Sequence, residues 1–253
     1  MQIATFDFHN TVAYCDPWFQ LEIRELPGEV LELLALRTGI SVTADLRDEA
    51  TGRYRALRQT IMESGVEVDA LESVQRIFRD MDLPVDRPAL TQAIDELMRA
   101  TLSDAEPVPG SAETIVSLVD SGVPVGIISS AVYHPFLEWV LARFGLLERL
   151  AFVATSASVG YYKSDARIYR HAYERVNATT ELGVHVGDSP RWDVDTAKQA
   201  GLAAVLYDHP GVKRQTPSPD GLAPPDLVLD SLIGADRPIL DLLAARRNGK
   251  AGR

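Results

Sequence analysis

The stretch Ile3-Ala4-Thr5-Phe6-Asp7-Phe8-His9-Asn10-Thr11-Val12 decides the fold. Its first residues are apolar or β-branched, the pattern of a buried strand, and the run ends in a carboxylate with threonine four positions on. In a parallel α/β sheet, ligands bind just beyond the carboxyl ends of the strands, so Asp7 is placed where chemistry happens.

Beyond it, Asp16-Pro17 opens a region that reads as helical. Leu46, Ala50, Tyr54, Leu57 and Ile61 recur at helical spacing, as do Leu71, Val74, Ile77, Phe78 and Met81. A third set, Leu90, Ile94, Leu97 and Met98, follows a start at Asp86 and Pro88. Residues 16–104 therefore form an all-helical insert. The pattern changes at Pro107-Val108-Pro109-Gly110. Ser111 is positioned to cap a helix that stops at Gly122, and Val123 to Ile128 makes a buried strand ending in Ser129-Ser130. Helix (Pro135 to Arg143), strand (Ala151 to Ala154), helix (Asp165 to Asn177), strand (Gly183 to Val186), a helix ending at Gly201 and strand (Leu202 to Leu206) follow. This alternation predicts an α/β fold with a doubly wound, Rossmann-like parallel sheet.

Residues 208–226 carry five prolines and read as an ordered or semi-rigid surface loop. Leu227-Val228-Leu229 is a short last strand, Ile239 to Ala245 a closing helix, and Arg246 to Arg253 a basic, disordered tail. The core is thus 1–15 with 105–245, the insert 16–104 and the tail 246–253.

Composition narrows the function. Of 253 residues, 46% are apolar and 24% charged, an ordinary globular balance. No window approaches the roughly eighteen apolar residues of a membrane span, and the N-terminus lacks the basic n-region of a secretory signal. Cys15 is the only cysteine, so no internal disulfide framework exists, and a cytoplasmic location is expected. A net charge of −11 argues against nucleic acid and anionic membranes as partners, but one local cation and a metal suffice to hold a small phosphorylated metabolite. Oligomeric state is not legible.

Four polar positions fall at the ends of core elements. Asp7 follows the first strand, and Ser129 ends the strand after the insert. Lys163, the only lysine in the first 197 residues, precedes the Asp165 helix. Gly187-Asp188 follows the His185 strand, with Asp193 five residues on. Singly these are ordinary: an aspartate at a turn, a serine at a helix cap, carboxylates at a helix start. Their order carries the weight. Together with Val108-Pro109-Gly110, Val186-Gly187-Asp188-Ser189, Ala200-Gly201 and Pro225-Asp226-Leu227-Val228-Leu229, it resembles the haloacid dehalogenase superfamily over nearly the whole chain.

That resemblance implies a Mg²⁺-dependent hydrolase of a small phosphomonoester, working through an aspartyl-phosphate on Asp7 beneath a helical C1 cap. An aspartate attacking a phosphate dianion meets like-charge repulsion, which a bridging divalent cation relieves. The implied ligands are Asp7, the carbonyl of His9 and Asp188, with Asp193 in support; oxygen donors of this kind suit Mg²⁺. Ser129 and Ser130 would hold phosphoryl oxygens, and Lys163 would offset their charge and keep Asp7 ionised.

The family's first motif is Asp-x-Asp-x-Thr, and here the second aspartate is His9. In family phosphatases that residue protonates the leaving alkoxide and then activates water, and an imidazole titrating near neutrality can do both. Three readings of His9 stand: general acid/base, altered chemistry, or a degenerate site in a protein that binds phosphate or a partner. An insert without lysine excludes Schiff-base phosphonatase chemistry. Dehalogenation, which needs no metal, is disfavoured by the metal-type Asp188 and Asp193. Elsewhere, Tyr14, Trp18 and Phe19 read as packing near the pocket mouth, Arg53, Arg55 and Arg58 as a solvated helix face, Cys15 as structural, and His185 as a packed core residue. His134, His171 and His209 lack ligand spacing.

Overall fold

The computed structural model describes residues 1–39, 41–209 and 221–251. The chain opens with β1 (Ile3–Phe6) and the two-residue β2 (Ala13–Tyr14). The insert follows: α1 (Asp16–Gln20), a π-helical turn (Leu21–Glu25), α2 (Leu26–Thr38), α3 (Ala44–Ser64), α4 (Ala70–Asp80) and α5 (Arg87–Ala100). After β3 (Glu106–Pro107) come α6 (Ser111–Asp120), β4 (Val125–Ser129), α7 (His134–Arg143), β5 (Phe152–Thr155), α8 (Ser156–Val159) and α9 (Arg167–Glu174). The chain closes with β6 (Gly183–Gly187), a second π-helical segment (Pro190–Thr196), α10 (Ala197–Gln199), β7 (Ala203–Tyr207), β8 (Leu227–Leu229) and α11 (Asp236–Ala251). Among the described residues no helix is long and apolar enough to cross a membrane.

Six strands form one sheet in the order β5-β4-β1-β6-β7-β8, every pair parallel. Such a sheet must be covered on both faces, and the period-2 alternation of β1 shows how. Ala4 and Phe6 pack with Ile115, Phe136 and Ile239 of α6, α7 and α11. Ile3 points the other way, packing with Ile168, Tyr169 and Tyr173 of α9. The connection from β1 leads to β4 and β5 on one side and later to β6 and β7 on the other. The strand order therefore switches beside β1, and a crevice opens at its carboxyl end.

The insert is tied to the core at its root. β2 and β3, the segments entering and leaving it, pair antiparallel through Tyr14↔Glu106 and Ala13↔Pro107. One apolar cluster runs from sheet to insert, with the Trp18 and Phe136 rings stacked 4.6 Å apart at 3°.

Several boundaries move. Gly110, not Ser111, caps α6: its φ of 83° is left-handed, and a Cβ there would lie 2.4 Å from the backbone nitrogen of Ile233. Ser111 instead donates its hydroxyl to the Val12 carbonyl at 3.1 Å. The helix expected over Asp165–Asn177 is α9, Arg167–Glu174, stopped by a left-handed Asn177. The tail expected from Arg246 continues α11 to Ala251, because Arg246 Nε donates to the Glu181 carbonyl at 3.0 Å and anchors the helix over the core. Of the loop expected over 208–226, residues 210–220 lie outside the described residues, as do 252 and 253.

Candidate active site

The crevice brings the dispersed positions together. Asp7 leaves β1, Ser129 ends β4, Asp188 leaves β6, and Lys163 stands in the loop after α8; all four line one cavity of about 690 Å³. Lys163 Nζ donates to Asp7 Oδ1 and to Asp193 Oδ1, each at 2.5 Å, with all three side chains buried. Asp188 stands half-buried beside them, and carboxylate oxygens of Asp7, Asp188 and Asp193 lie within 4.8 Å of one another. Three carboxylates around one ammonium leave the site short of positive charge.

That shortage is visible in the acid strengths. Burial raises the Asp7 carboxyl above its ordinary range, opposed by Lys163 and reinforced by Asp193. Asp188 is pushed up further, by burial and then by the charges of Asp7 and Asp193. For Asp193 burial acts in the same sense, but Lys163 and His185 more than reverse it, and the group is held below the carboxylate range. Lys163 lies above the ordinary lysine value because Asp193 and Asp7 outweigh its burial. The donor set fits a hard divalent cation, which would supply the missing charge through oxygen ligands.

Local backbone explains the convergence. After Asp7 the chain doubles back: the N–H groups of Thr11, Val12 and Ala13 all donate to the Phe8 carbonyl, with Asn10 left-handed at φ 63°. The turn aims the Asn10 amide at Asp188 Oδ2, 3.5 Å away. On the other side, Ser189 caps the π-helical segment, accepting from Trp192 N–H, while its own N–H donates to Asp193 Oδ2 at 2.9 Å. The π geometry, in place of the expected regular helix, carries Asp193 back over the end of β6. Gly187 makes room there, since a Cβ would lie 2.3 Å from Asp193 Cγ.

His9 lies on the cavity wall, its ring stacked on Phe19 with centroids 4.2 Å apart. Its Nε2 is 3.0 Å from Asp16 Oδ1, and burial holds the imidazole below its ordinary pKa despite the carboxylates of Asp16 and Asp7. Ser129 and Ser130 both line the cavity, and Ser130 Oγ also accepts the backbone N–H of Lys163 at 3.1 Å. Cys15 is buried, and burial pushes its thiol well above the ordinary range, as a structural role requires. Arg58 differs from its expected place on a solvated face: it is buried, and its guanidinium grips Glu67 at 2.5 and 3.4 Å.

His185 is a core residue, as its strand position suggested, but it also acts on the site. Its Nε2 is 3.1 Å from Asp193 Oδ1 and its Nδ1 2.9 Å from the Thr5 hydroxyl. Thr5 and His185 are register partners across β1 and β6. A threonine in the opening strand facing a histidine in a later one was the only sequence signal for this pair.

Residues 1–201 match the family model described as haloacid dehalogenase-like hydrolase. The chain belongs to that hydrolase family. It is 27% identical to mouse haloacid dehalogenase-like hydrolase domain-containing protein 3, over 97% of this chain and 96% of the mouse protein. A glyceraldehyde 3-phosphate phosphatase of Methanothermobacter thermautotrophicus shares 28% identity over 61% of this chain and 67% of its own length. Among solved structures, a 2-haloacid dehalogenase of Pseudomonas syringae superposes with a TM-score of 0.65 at 22% identity, over 97% of this chain and 99% of that one. This last likeness bears on the fold alone.

Proposed function

We propose that this hydrolase is a Mg²⁺-dependent phosphatase of small phosphomonoesters, with Asp7 as nucleophile. The observation that carries this reading is the Asp7–Lys163–Asp193 bridge with Asp188 beside it, at the carboxyl ends of β1 and β6. Asp7, the His9 carbonyl and Asp188 would hold the cation, with Asp193 in support. Bound there, Mg²⁺ would supply the positive charge that lets a carboxylate approach a phosphate dianion.

The chain's own groups do the rest. Asp7 attacks phosphorus, the bond to the leaving oxygen breaks, and His9 gives that oxygen a proton. Water then attacks the phosphorus of the aspartyl-phosphate, passing its proton to His9 and freeing Asp7. The Asp16 carboxylate accepts from His9 Nε2 and turns Nδ1 into the ring atom available for proton exchange. Ser129 and Ser130 hold phosphoryl oxygens, while Lys163 balances their charge and keeps Asp7 ionised. The inserted helices act as a cap that excludes water from the cavity. A phosphatase-named relative supports the substrate class.

Phosphate release from p-nitrophenyl phosphate tests the reading. Removing the metal with a chelator, or replacing Asp7 in Asp7→Asn, is expected to lower the rate by roughly 10³-fold or more. Activity surviving either change, or halide release from a 2-haloacid in place of phosphate release, would reject it.

A further inference from the structure

The cavity above Asp7, at about 690 Å³, is the size of a small-molecule site and far larger than a phosphoryl group needs. Its floor is the carboxylate and ammonium cluster of the core. Its roof belongs to the insert: Arg24 from the first π-helical turn, and Arg55, Gln59 and Met62 from α3.

Charge on the roof is unevenly matched. Most other arginines of the insert stand against carboxylates, among them Arg37 on Glu96, Arg47 on Glu29, Arg53 on Glu49 and, in the cavity wall, Arg58 on Glu67. Arg24 and Arg55 are exposed to the cavity and make no ion pair or hydrogen bond with any described residue. Across from them on the core side, Arg191 also lines the cavity, its guanidinium 4.2 Å from the centre of the Trp192 ring and, among the described residues, no carboxylate paired with it. The acid on this wall, Glu63, is engaged by the Gln59 amide at 2.6 Å.

Three guanidiniums around one cavity form no ion pair with any described residue, although the chain's net charge is −11 and carboxylates stand on the floor and wall of the same cavity. Arginine's planar fork matches carboxylate and phosphate oxygens in pairs. The phosphoryl group of a substrate would be taken by the floor, so these cations would face the remainder of the molecule. Resting on the phosphatase reading above, we infer that the substrate carries a second anionic group, bound by Arg24 and Arg55 with Arg191. The substrate class is then a phosphomonoester of an alcohol that itself bears a carboxylate or a second phosphate. Because Arg24 and Arg55 lie on the insert and the phosphoryl site on the core, such a molecule bridges the two.

Binding to the Asp7→Asn protein in Mg²⁺, measured by titration calorimetry, separates this inference from turnover. The probes are glycerol phosphate, phosphoglycerate and propanediol bisphosphate, which share one phosphoryl group and differ at the far end. One or both two-anion probes are expected to bind about 10–100-fold more tightly than glycerol phosphate, and the tighter of the two identifies the second group. Adding Arg24→Ala and Arg55→Ala is expected to collapse that ratio toward one; both side chains are exposed. Equal affinities for all three probes would overturn the inference. So would a ratio unmoved by the double substitution, or one that vanishes with modest salt, since that is long-range steering without a site. A preference that depends on the arginines in a protein releasing no phosphate from any ester would uphold the second-anion site while sinking the phosphatase reading.

Discussion

Glu22, carried by the insert, accepts the backbone N–H of Val132 in the core at 3.1 Å through one carboxylate oxygen, while its other oxygen has no hydrogen-bond partner among the described residues. The side chain is fully buried, and burial, only partly opposed by Arg58 and the Val132 N–H, pushes its pKa up to about 8. The sign of the consequence is definite. The folded protein keeps this proton between about pH 4.5 and 8, where the unfolded chain releases it. Stability from this group is therefore complete below about 4.5 and falls as pH rises, by at most about 1.4 kcal/mol per unit, until about 8. Glu22→Gln, which keeps an oxygen for Val132 and cannot ionise, should remove that slope. Urea melts of both proteins from pH 5 to 8 isolate the difference; parallel curves would show Glu22 ionised throughout.

His185 positions Asp193 from behind, bracing Oδ1 from within the sheet while Lys163 takes the same oxygen from the cavity. Partners of this kind typically contribute about 10–100-fold to metal affinity or activity. His185→Leu should weaken Mg²⁺ activation by that order with little change in KM, and His185→Gln, which retains an N–H, should recover part of it. Mg²⁺ titrations of the rate distinguish this from a general loss of packing, which would lower the melting temperature without moving the metal dependence.

What the sequence showed and what it hid divide along a physical line. Asp7, Ser129 and Asp188 were legible because each sits at the end of a periodic apolar strand, where the sheet topology places it in the crevice, and Lys163 by its place in the order as the only lysine in the first 197 residues. Asp193 was legible by order, but its π-helical setting was not, since no propensity distinguishes one inserted residue in a short helix. Arg58 was misplaced for a related reason. Its spacing from Arg55 fits a wet helix face, and only the tertiary arrival of Glu67, held in turn by the Ser156 hydroxyl at 2.5 Å, makes a buried ion pair there. The continuation of α11 to Ala251 likewise depends on contacts with Glu181, distant in sequence.

His9 is held by Phe19 on its face and Asp16 at Nε2, an arrangement that orders the imidazole and leaves one nitrogen for proton exchange. If it serves as acid and base, His9→Ala should lower kcat by about 10²–10⁴-fold, while His9→Asp retains or raises the rate. Asp16→Asn should fall between, because it keeps an acceptor for Nε2 and removes the charge. Steady-state kinetics on p-nitrophenyl phosphate check the series; equal rates for the Ala and Asp variants would end the acid/base role.

Gly187 tests the geometry of the carboxylate cluster without touching a charged group. A Cβ at this position would meet Asp193 Cγ at 2.3 Å, and Asp193 cannot retreat freely because Ser189 N–H, His185 and Lys163 all hold its carboxylate. Gly187→Ala must therefore displace either Asp193 or the end of β6, and β6 is pinned by its parallel neighbours β1 and β7. Overpacking of this sort costs about 1–3 kcal/mol of stability. The larger effect should be on catalysis, since an ångström of displacement in a reacting constellation costs on the order of 10²-fold. Circular-dichroism melts beside kcat measurements read the two separately: a variant that stays folded yet loses rate supports a pinned Asp193, whereas full activity would mean that the cluster tolerates its displacement.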